Sequence, residues 1–297
     1  MLGCETPDDA SPDPVVDALD REVAVTPPAE RVVSLAPNLT EVAFAAGAGD
    51  RLVGVTTADD YPPAVDTLEQ ISALPIDFEA VTALDPDLVL ATDQVNAPRD
   101  AETLTGVDIP TYFFSFETLD DIWDGIRTAG ELLDTPDEAQ ATADSLEAAM
   151  ESLQAQTADI EERPRVLFLV GDDTLYAFGA SSYIHTLIEA AGGRSITDDI
   201  ETEAPTLSEE YVLSEAPDVI IGSFGEEYDP DRLLELHPSW DEVPAIKNDR
   251  VYSLDPDIVN RPGPRVVEGA HQMAQFLHPN HVDTSLAAVS STQRARP

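Results

Sequence analysis

From Arg31 onward the chain alternates two apolar patterns: short runs rich in β-branched residues, and longer stretches in which apolar positions recur every three or four residues. The short runs predict strands at Arg31 to Leu35, Leu52 to Thr56, Leu88 to Thr92 and Thr111 to Phe114. Runs that are apolar throughout suit strands buried on both faces. Strands that alternate with helices give an α/β lobe on a mainly parallel sheet. The first helix is punctuated by Asn38 as N-cap, by Glu41 three residues on, as in a capping box, and by Gly47 just past its end.

A helical region follows from Leu119 to Leu133, and Thr135-Pro136-Asp137-Glu138 then opens a second helix with a cap, a proline at the first position and a returning glutamate. Its stripe of Ala139, Ala143, Leu146, Met150, Leu153 and Ile160 runs to Glu162, a rod of about 40 Å that can bridge two lobes. A second α/β series begins after Pro164, with strands at Val166 to Val170, Val219 to Gly222 and Arg250 to Leu254. Helices are expected at Ser182 to Ala191, closed by Gly192-Gly193, and at Pro264 to Leu277. The organisation expected is a tether over 1–28, an N-terminal lobe over 29–117, a helical region over 118–162, a C-terminal lobe over 163–279 and a polar tail over 280–297.

The halves carry a repeat. Glu79-Ala-Val-Thr-Ala-Leu-Asp-Pro86-Asp87 matches Glu210-Tyr-Val-Leu-Ser-Glu-Ala-Pro217-Asp218, each followed by an apolar strand. In both, a helix capped by Asp77 or Ser208 carries the glutamate in its first turn, and proline ends the helix. A first-turn glutamate complements the helix dipole in any acidic protein. Matched glutamates on two equivalent lobes also suit a clamp on a partner with two-fold symmetry, with arginine as the complement. Two such lobes enclose a cleft at the carboxyl ends of their strands, where α/β sheets bind ligands.

Charge narrows the picture. Against 59 Asp and Glu stand 15 basic residues, of which only Lys247 is lysine, for a formal net charge of -44. A phosphate backbone would be repelled, so nucleic acid is excluded as a partner. Acid spread over every segment resembles the surfaces of proteins from salt-loving organisms, where molar salt cuts the screening length to about 3 Å. Cys4 is the only cysteine, so there is no internal disulfide. Met1-Leu2-Gly3-Cys4 looks like the end of a lipobox, with an Asp/Pro-rich tether behind it. Cys4 is the expected lipid attachment site, on the outer face of the membrane.

Motifs for catalysis are absent: no Gly-x-Ser-x-Gly elbow, Walker loop or His-Glu-x-x-His helix occurs. All five histidines lie in the second half, at His185, His237, His271, His278 and His281, which argues against a metal held between lobes. No enzyme and no cofactor is expected.

Arg31-Val-Val-Ser-Leu-Ala-Pro-Asn38-Leu-Thr-Glu41, Val53-Gly-Val, Asp60-Tyr61-Pro62-Pro63, Ala83-Leu-Asp-Pro-Asp-Leu-Val-Leu-Ala91, Pro244-Ala-Ile-Lys-Asn-Asp-Arg-Val-Tyr252 and Arg261-Pro-Gly-Pro-Arg265 resemble the cobalamin-binding proteins of ABC importers. The motifs cover about Arg31 to Leu277 and belong to a wider family of cobalamin, siderophore and haem receptors. The resemblance implies a class III periplasmic-binding-protein fold, two Rossmann-like lobes joined by a single rigid helix. It also implies docking of Glu79 and Glu210 onto arginines of a permease dimer, and a corrinoid or other metal chelate as ligand.

Cobalamin receptors line the cleft with aromatic residues, whereas here several such positions read Ala58, Leu74, Thr92 and Ala204, and Tyr176 alone keeps a ring. Candidate ligand residues are Asn38, Thr40, Asp59, Asp60, Thr92, Asp93, Tyr176, Phe224, Asp257, Asn260 and Arg261. Each also fits a capping or loop role. Phe114, Phe116, Trp123 and Trp240 read as packing, while Tyr183 fits packing or ligand equally. An iron-siderophore or haem receptor, using Arg261 or Arg99 against an anionic chelate, is the alternative. A cytosolic chelatase-like or metallocluster-scaffold protein is the remote one, since it would need interlobe His or Cys ligands.

Overall fold

A computed structural model describes residues 15–25, 28–225 and 227–281. The chain forms two compact units. One runs to Ser115 and takes back Gly125–Gln140, and the other holds Phe116–Asp124 and everything described from Ala141.

In the first unit, β1 (Val15–Val16) and β2 (Glu22–Val23) make a small antiparallel sheet. The main sheet holds β3 (Val32–Ser34), β4 (Leu52–Thr56), β5 (Glu69–Ile71), β6 (Leu88–Thr92) and β7 (Thr111–Phe114) in the order β5-β4-β3-β6-β7, all parallel. Helices α1 (Pro37–Ala45), α2 (Phe78–Ala83) and α3 (Pro98–Thr105) connect them. Residues of β3, β6 and β7 are buried along their whole length, which is why their sequences are apolar without alternation. Val33, Leu35, Val81, Val89, Leu104 and Phe113 form the core.

The chain crosses between units inside α4 (Leu119–Leu132) and α5 (Pro136–Thr157). The second unit places β8 (Arg165–Leu169), β9 (Arg194–Ser195), β10 (Val219–Gly222) and β11 (Val251–Ser253) in the order β11-β10-β8-β9, again all parallel. Its helices are α6 (Tyr183–Ala190), α7 (Glu209–Glu215), α8 (Asp231–Leu236), α9 (Pro244–Lys247), α10 (Pro256–Val259) and α11 (Val266–Leu277). Leu167, Leu169, Ile220, Leu233 and Trp240 centre its core. Strand order reverses direction between β3 and β6 in the first sheet and between β8 and β10 in the second, and the crevices outside such switch points are the usual ligand sites of open α/β sheets.

Two local expectations are corrected. Asn38 does not cap α1: Pro37 at the first position starts the helix earlier, the extended Ala36 is the N-cap, and Asn38 sits buried inside the first turn. Helix α5 stops at Thr157, not Glu162, so the rod is about 33 Å long. The Thr157 hydroxyl donates to the Ala190 carbonyl at 2.9 Å, and Ile160 lies beyond the helix end.

The internal repeat is larger than its sequence match. In the first unit the Asp87 carboxylate accepts from the N–H groups of Glu30 and Arg31 at 2.8 and 3.0 Å, and the Arg31 Nε donates to the Asp85 carbonyl at 2.9 Å. In the second, the Asp218 carboxylate accepts from the Arg165 N–H at 2.9 Å, and the Arg165 Nη1 donates to the Glu215 carbonyl at 2.6 Å. Each Pro-Asp therefore ties the helix before it, α2 or α7, to the start of its sheet's first strand, β3 or β8. The residue before the proline turns left-handed in both, at φ 49° for Asp85 and 46° for Ala216. Asp tolerates that region better than Ala. Replacing Ala216 by Gly is expected to raise unfolding free energy by about 0.5–1 kcal/mol, seen as a higher denaturant midpoint with unchanged slope.

Candidate functional site

Candidate residues of the first unit follow the carboxyl ends of three adjacent strands. After β4, the Asp59 Oδ2 accepts from the Thr56 N–H at 2.8 Å and the Thr56 hydroxyl at 2.6 Å, folding the loop back on the strand. Its Oδ1 is buried with no hydrogen-bond partner among the described residues. Asp60 and Asp93 are exposed, and Asn38 is buried after β3. Thr40 and Thr92, expected at the ligand surface, are instead fully buried. The Thr40 hydroxyl turns back toward the Ala36 carbonyl at 3.5 Å, and that of Thr92 donates to the Gln94 Oε1 at 3.3 Å. The first bonds back along its own helix α1, and the second holds the loop after β6.

Asn96, which the sequence reading passed over, does more. Its Oδ1 accepts from the Thr92 N–H at 3.1 Å and its Nδ2 donates to the Leu35 carbonyl at 3.4 Å. One buried amide thus joins the loops after β3 and β6, on either side of the switch point. The only sequence signal was an asparagine in a polar loop just past a strand. Beside it, a groove of about 760 Å³ runs between Ala73–Phe78 and Val95–Thr103, with Leu74 73% exposed and Arg99 on its wall.

In the second unit the candidates again follow strand ends. Tyr176, after β8, is 50% exposed. Its segment is held by backbone bonds from Val170 N to the Tyr176 carbonyl and from Ala177 N to the Pro205 carbonyl, both 2.9 Å. Phe224, after β10, is half-buried, packs partly on the core and meets Tyr228 at 4.3 Å between ring centroids. The Asn260 Nδ2, after β11, donates to the Ser223 hydroxyl at 2.9 Å, while its Oδ1 is buried without a partner among the described residues. Asp257 and Arg261 form an ion pair at 2.8 Å. Tyr183 is packing: its hydroxyl donates to the Val259 carbonyl at 2.8 Å, and burial pushes its phenol well up from the ordinary value. Phe114, Phe116, Trp123 and Trp240 are buried too.

Glu79 and Glu210 occupy the second helical position of α2 and α7, both exposed, and neither makes a hydrogen bond or ion pair among the described residues. Asp77 caps α2 by accepting from Ala80 N at 3.0 Å, and Ser208 caps α7 by accepting from Tyr211 N at 3.2 Å. The adjacent Glu209 differs. It accepts from the Ser239 hydroxyl at 2.6 Å and lies 3.2 Å from the His237 Nδ1, contacts that hold its carboxyl below the usual range, the serine contributing most. Of two neighbouring glutamates, the one in the repeat register is left available.

No group of three or more His, Cys, Asp or Glu suited to a metal occurs among the described residues, and no described helix is long and apolar enough to cross a membrane. His278 ends α11 with its Nε2 3.1 Å from the Gly192 carbonyl. Cys4, residues 1–14 and 26–27 of the expected tether, and residues 282–297 of the tail lie outside the described residues. Within that expected tether, residues 15–23 are instead folded: β1 and β2 pair with each other, and Ala18 N donates to the Phe113 carbonyl of β7 at 3.0 Å.

Comparison with known proteins adds to this geometry. Residues 32–258 match the periplasmic binding protein family. The chain is 28% identical to an uncharacterized ABC transporter substrate-binding lipoprotein of Bacillus subtilis, over 94% of this chain and 93% of the relative. The crystal structure of the periplasmic vitamin B12 binding protein of Vibrio cholerae superposes with a TM-score of 0.72 at 31% identity, covering 84% of this chain and 97% of that one. The periplasmic heme-binding protein from Roseiflexus sp. RS-1 gives 0.72 at 26% identity, over 84% and 98%.

Proposed function

This chain belongs to the periplasmic binding protein family, whose members are solute-binding components of ABC importers and not enzymes, and from that premise we propose that it captures a corrinoid, cobalamin or cobinamide, and delivers it to a membrane permease. The observation that carries the reading is made on each unit by itself: Asp59, Asp60 and Asp93 follow strand ends at the carboxyl rim of the first parallel sheet, and Tyr176, Asp257 and Asn260 do so at that of the second. Vitamin B12 binding in a relative 31% identical favours a corrinoid. The pairing of Arg261 with Asp257 is in keeping with this, since it engages that arginine within the protein. Ferric siderophore or haem is the second reading, favoured by Arg99, whose side chain is 86% exposed at the first unit's groove. Glu79 and Glu210 serve as the permease-docking pair, and a lipid on Cys4 holds the protein on the outer face of the membrane.

Calorimetric titration in molar salt with cobalamin, cobinamide, haem and a ferric siderophore tests this. Salt is needed because -44 charges repel one another when unscreened. Submicromolar binding of a corrinoid is the expected result, and Tyr176→Ala is expected to weaken it about tenfold, the loss of one ring contact of ~1.4 kcal/mol. Binding of the iron chelate alone would replace the corrinoid reading and make Arg99→Ala the next variant.

A further inference from the structure

The two docking-type helices are anchored differently at their first position. In α2 it is Phe78, which packs against the core of the first unit. In α7 it is Glu209, held by Ser239 and by His237. An apolar anchor ignores pH, whereas an imidazole does not.

His237 is buried, 5% exposed, and its ring stacks on Trp240 at 4.5 Å between centroids. Its Nδ1 lies 3.2 Å from the Glu209 Oε1 and its Nε2 lies 2.7 Å from the Asp172 carbonyl oxygen. Both partners only accept. A neutral imidazole has one N–H, so either tautomer would set a ring lone pair against an oxygen lone pair. Only the imidazolium satisfies both contacts. Facing the ring are Glu209 from α7 and Asp172 from the loop after β8, whose carboxylate is engaged by Arg232 of α8, with Tyr228 and Asp173 beside that ion pair. Ser239 and Trp240 come from the turn that follows His237 itself. Arg232, the cation among these neighbours, is paired with Asp172.

We propose that His237 is a positioning residue for docking: as an imidazolium it pins Glu209, and with it the first turn of α7, so that Glu210 is presented in a fixed place. This rests on the docking role given to Glu210 above. As pH rises, the Nδ1 proton is lost to solvent, the shorter Nε2–H bond to Asp172 is kept, and the Glu209 carboxylate is released. The second unit's docking helix loosens while α2 stays as it was. Docking is then strongest while the ring holds both protons and is limited by one lobe once the Nδ1 proton is gone.

The test is heteronuclear NMR of the full chain in molar salt between pH 5 and 9. Ring nitrogen shifts of His237 report its protonation, and amide-exchange protection of Tyr211 and Val212 in α7 is compared with that of Ala80 and Val81 in α2. Expected is a doubly protonated ring at pH 6, and protection in α7 that falls at least tenfold relative to α2 as the ring titrates. His237→Gln and Glu209→Gln are each expected to remove the pH dependence of that ratio. A ring that is neutral at pH 6, or α7 protection that tracks α2 throughout, overturns the proposal. Neither readout uses the importer, so harmless charge reversal at Glu79 and Glu210 would remove the docking role and leave the ring assignment standing.

Discussion

Replacing Glu79 and Glu210 together by arginine is expected to lower importer-dependent uptake about a hundredfold or more while leaving ligand affinity within about twofold of wild type. Both carboxylates stand exposed at the second position of a short capped helix, without an ion pair among the described residues. An exposed ion pair contributes little, at most about 1 kcal/mol each. Reversal does more than delete that contribution, because it sets arginine against arginine, and like charges across an interface cost several kcal/mol. Two such losses at ~1.4 kcal/mol per tenfold exceed a hundredfold. Calorimetry and uptake must be read on the same variant. The control is Glu151→Arg with Glu162→Arg, which changes net charge equally at exposed positions on and after α5. Uptake lost equally in the control would assign the effect to charge alone, and uptake kept by the test variant would remove the docking role.

What could be read from the sequence was what a single period or a single cap encodes. Buried parallel strands such as Leu88–Thr92 and Val219–Gly222 announce themselves because nothing on either face is wet. The Asp77 and Ser208 caps were visible because capping is local. Misreadings came where a neighbour overrode the local signal. Pro37 took the helix start from Asn38, and Thr92 was drawn inward by Asn96 and Gln94. The largest gap was the long-range side chain. Arg31 and Arg165 each bind a carbonyl at or just past the end of α2 or α7, 50 or more residues away. No periodicity marks such a contact. The repeat register picks out Glu210, but nothing local shows that Glu209 is held, because its partners Ser239 and His237 lie 30 and 28 residues on.

Asp17→Ala is expected to detach the β1–β2 hairpin from the first unit. β7 is the edge strand of its sheet, and its outer polar groups need partners. The hairpin supplies them: Ala18 N donates to the Phe113 carbonyl at 3.0 Å, the Arg21 Nη2 to the Thr111 carbonyl at 2.9 Å, and Phe113 N to the Asp17 Oδ2 at 3.3 Å. The Asp17 side chain is wholly buried and also accepts from Leu19 N, Arg21 N and the Arg21 Nε, each at 3.0 Å, while the guanidinium lies 4.9 Å from the Phe113 ring. Removing the carboxylate strands four N–H donors and one half of an ion pair, which by analogy with other broken buried pairs costs about 3–5 kcal/mol. The hairpin has few residues to hold it otherwise, so the molecule avoids that cost by letting the hairpin go, and the measured loss is capped by the hairpin's own opening free energy. The expected result is therefore local: exchange protection of Phe113 and Leu19 collapses and protease cuts between residues 15 and 25, while the second unit keeps its protection. The bared edge of β7 then offers a template for strand addition, so the variant is also expected to aggregate as its concentration rises. Unchanged protection at Phe113 in Asp17→Ala would mean that the backbone contacts alone hold the hairpin.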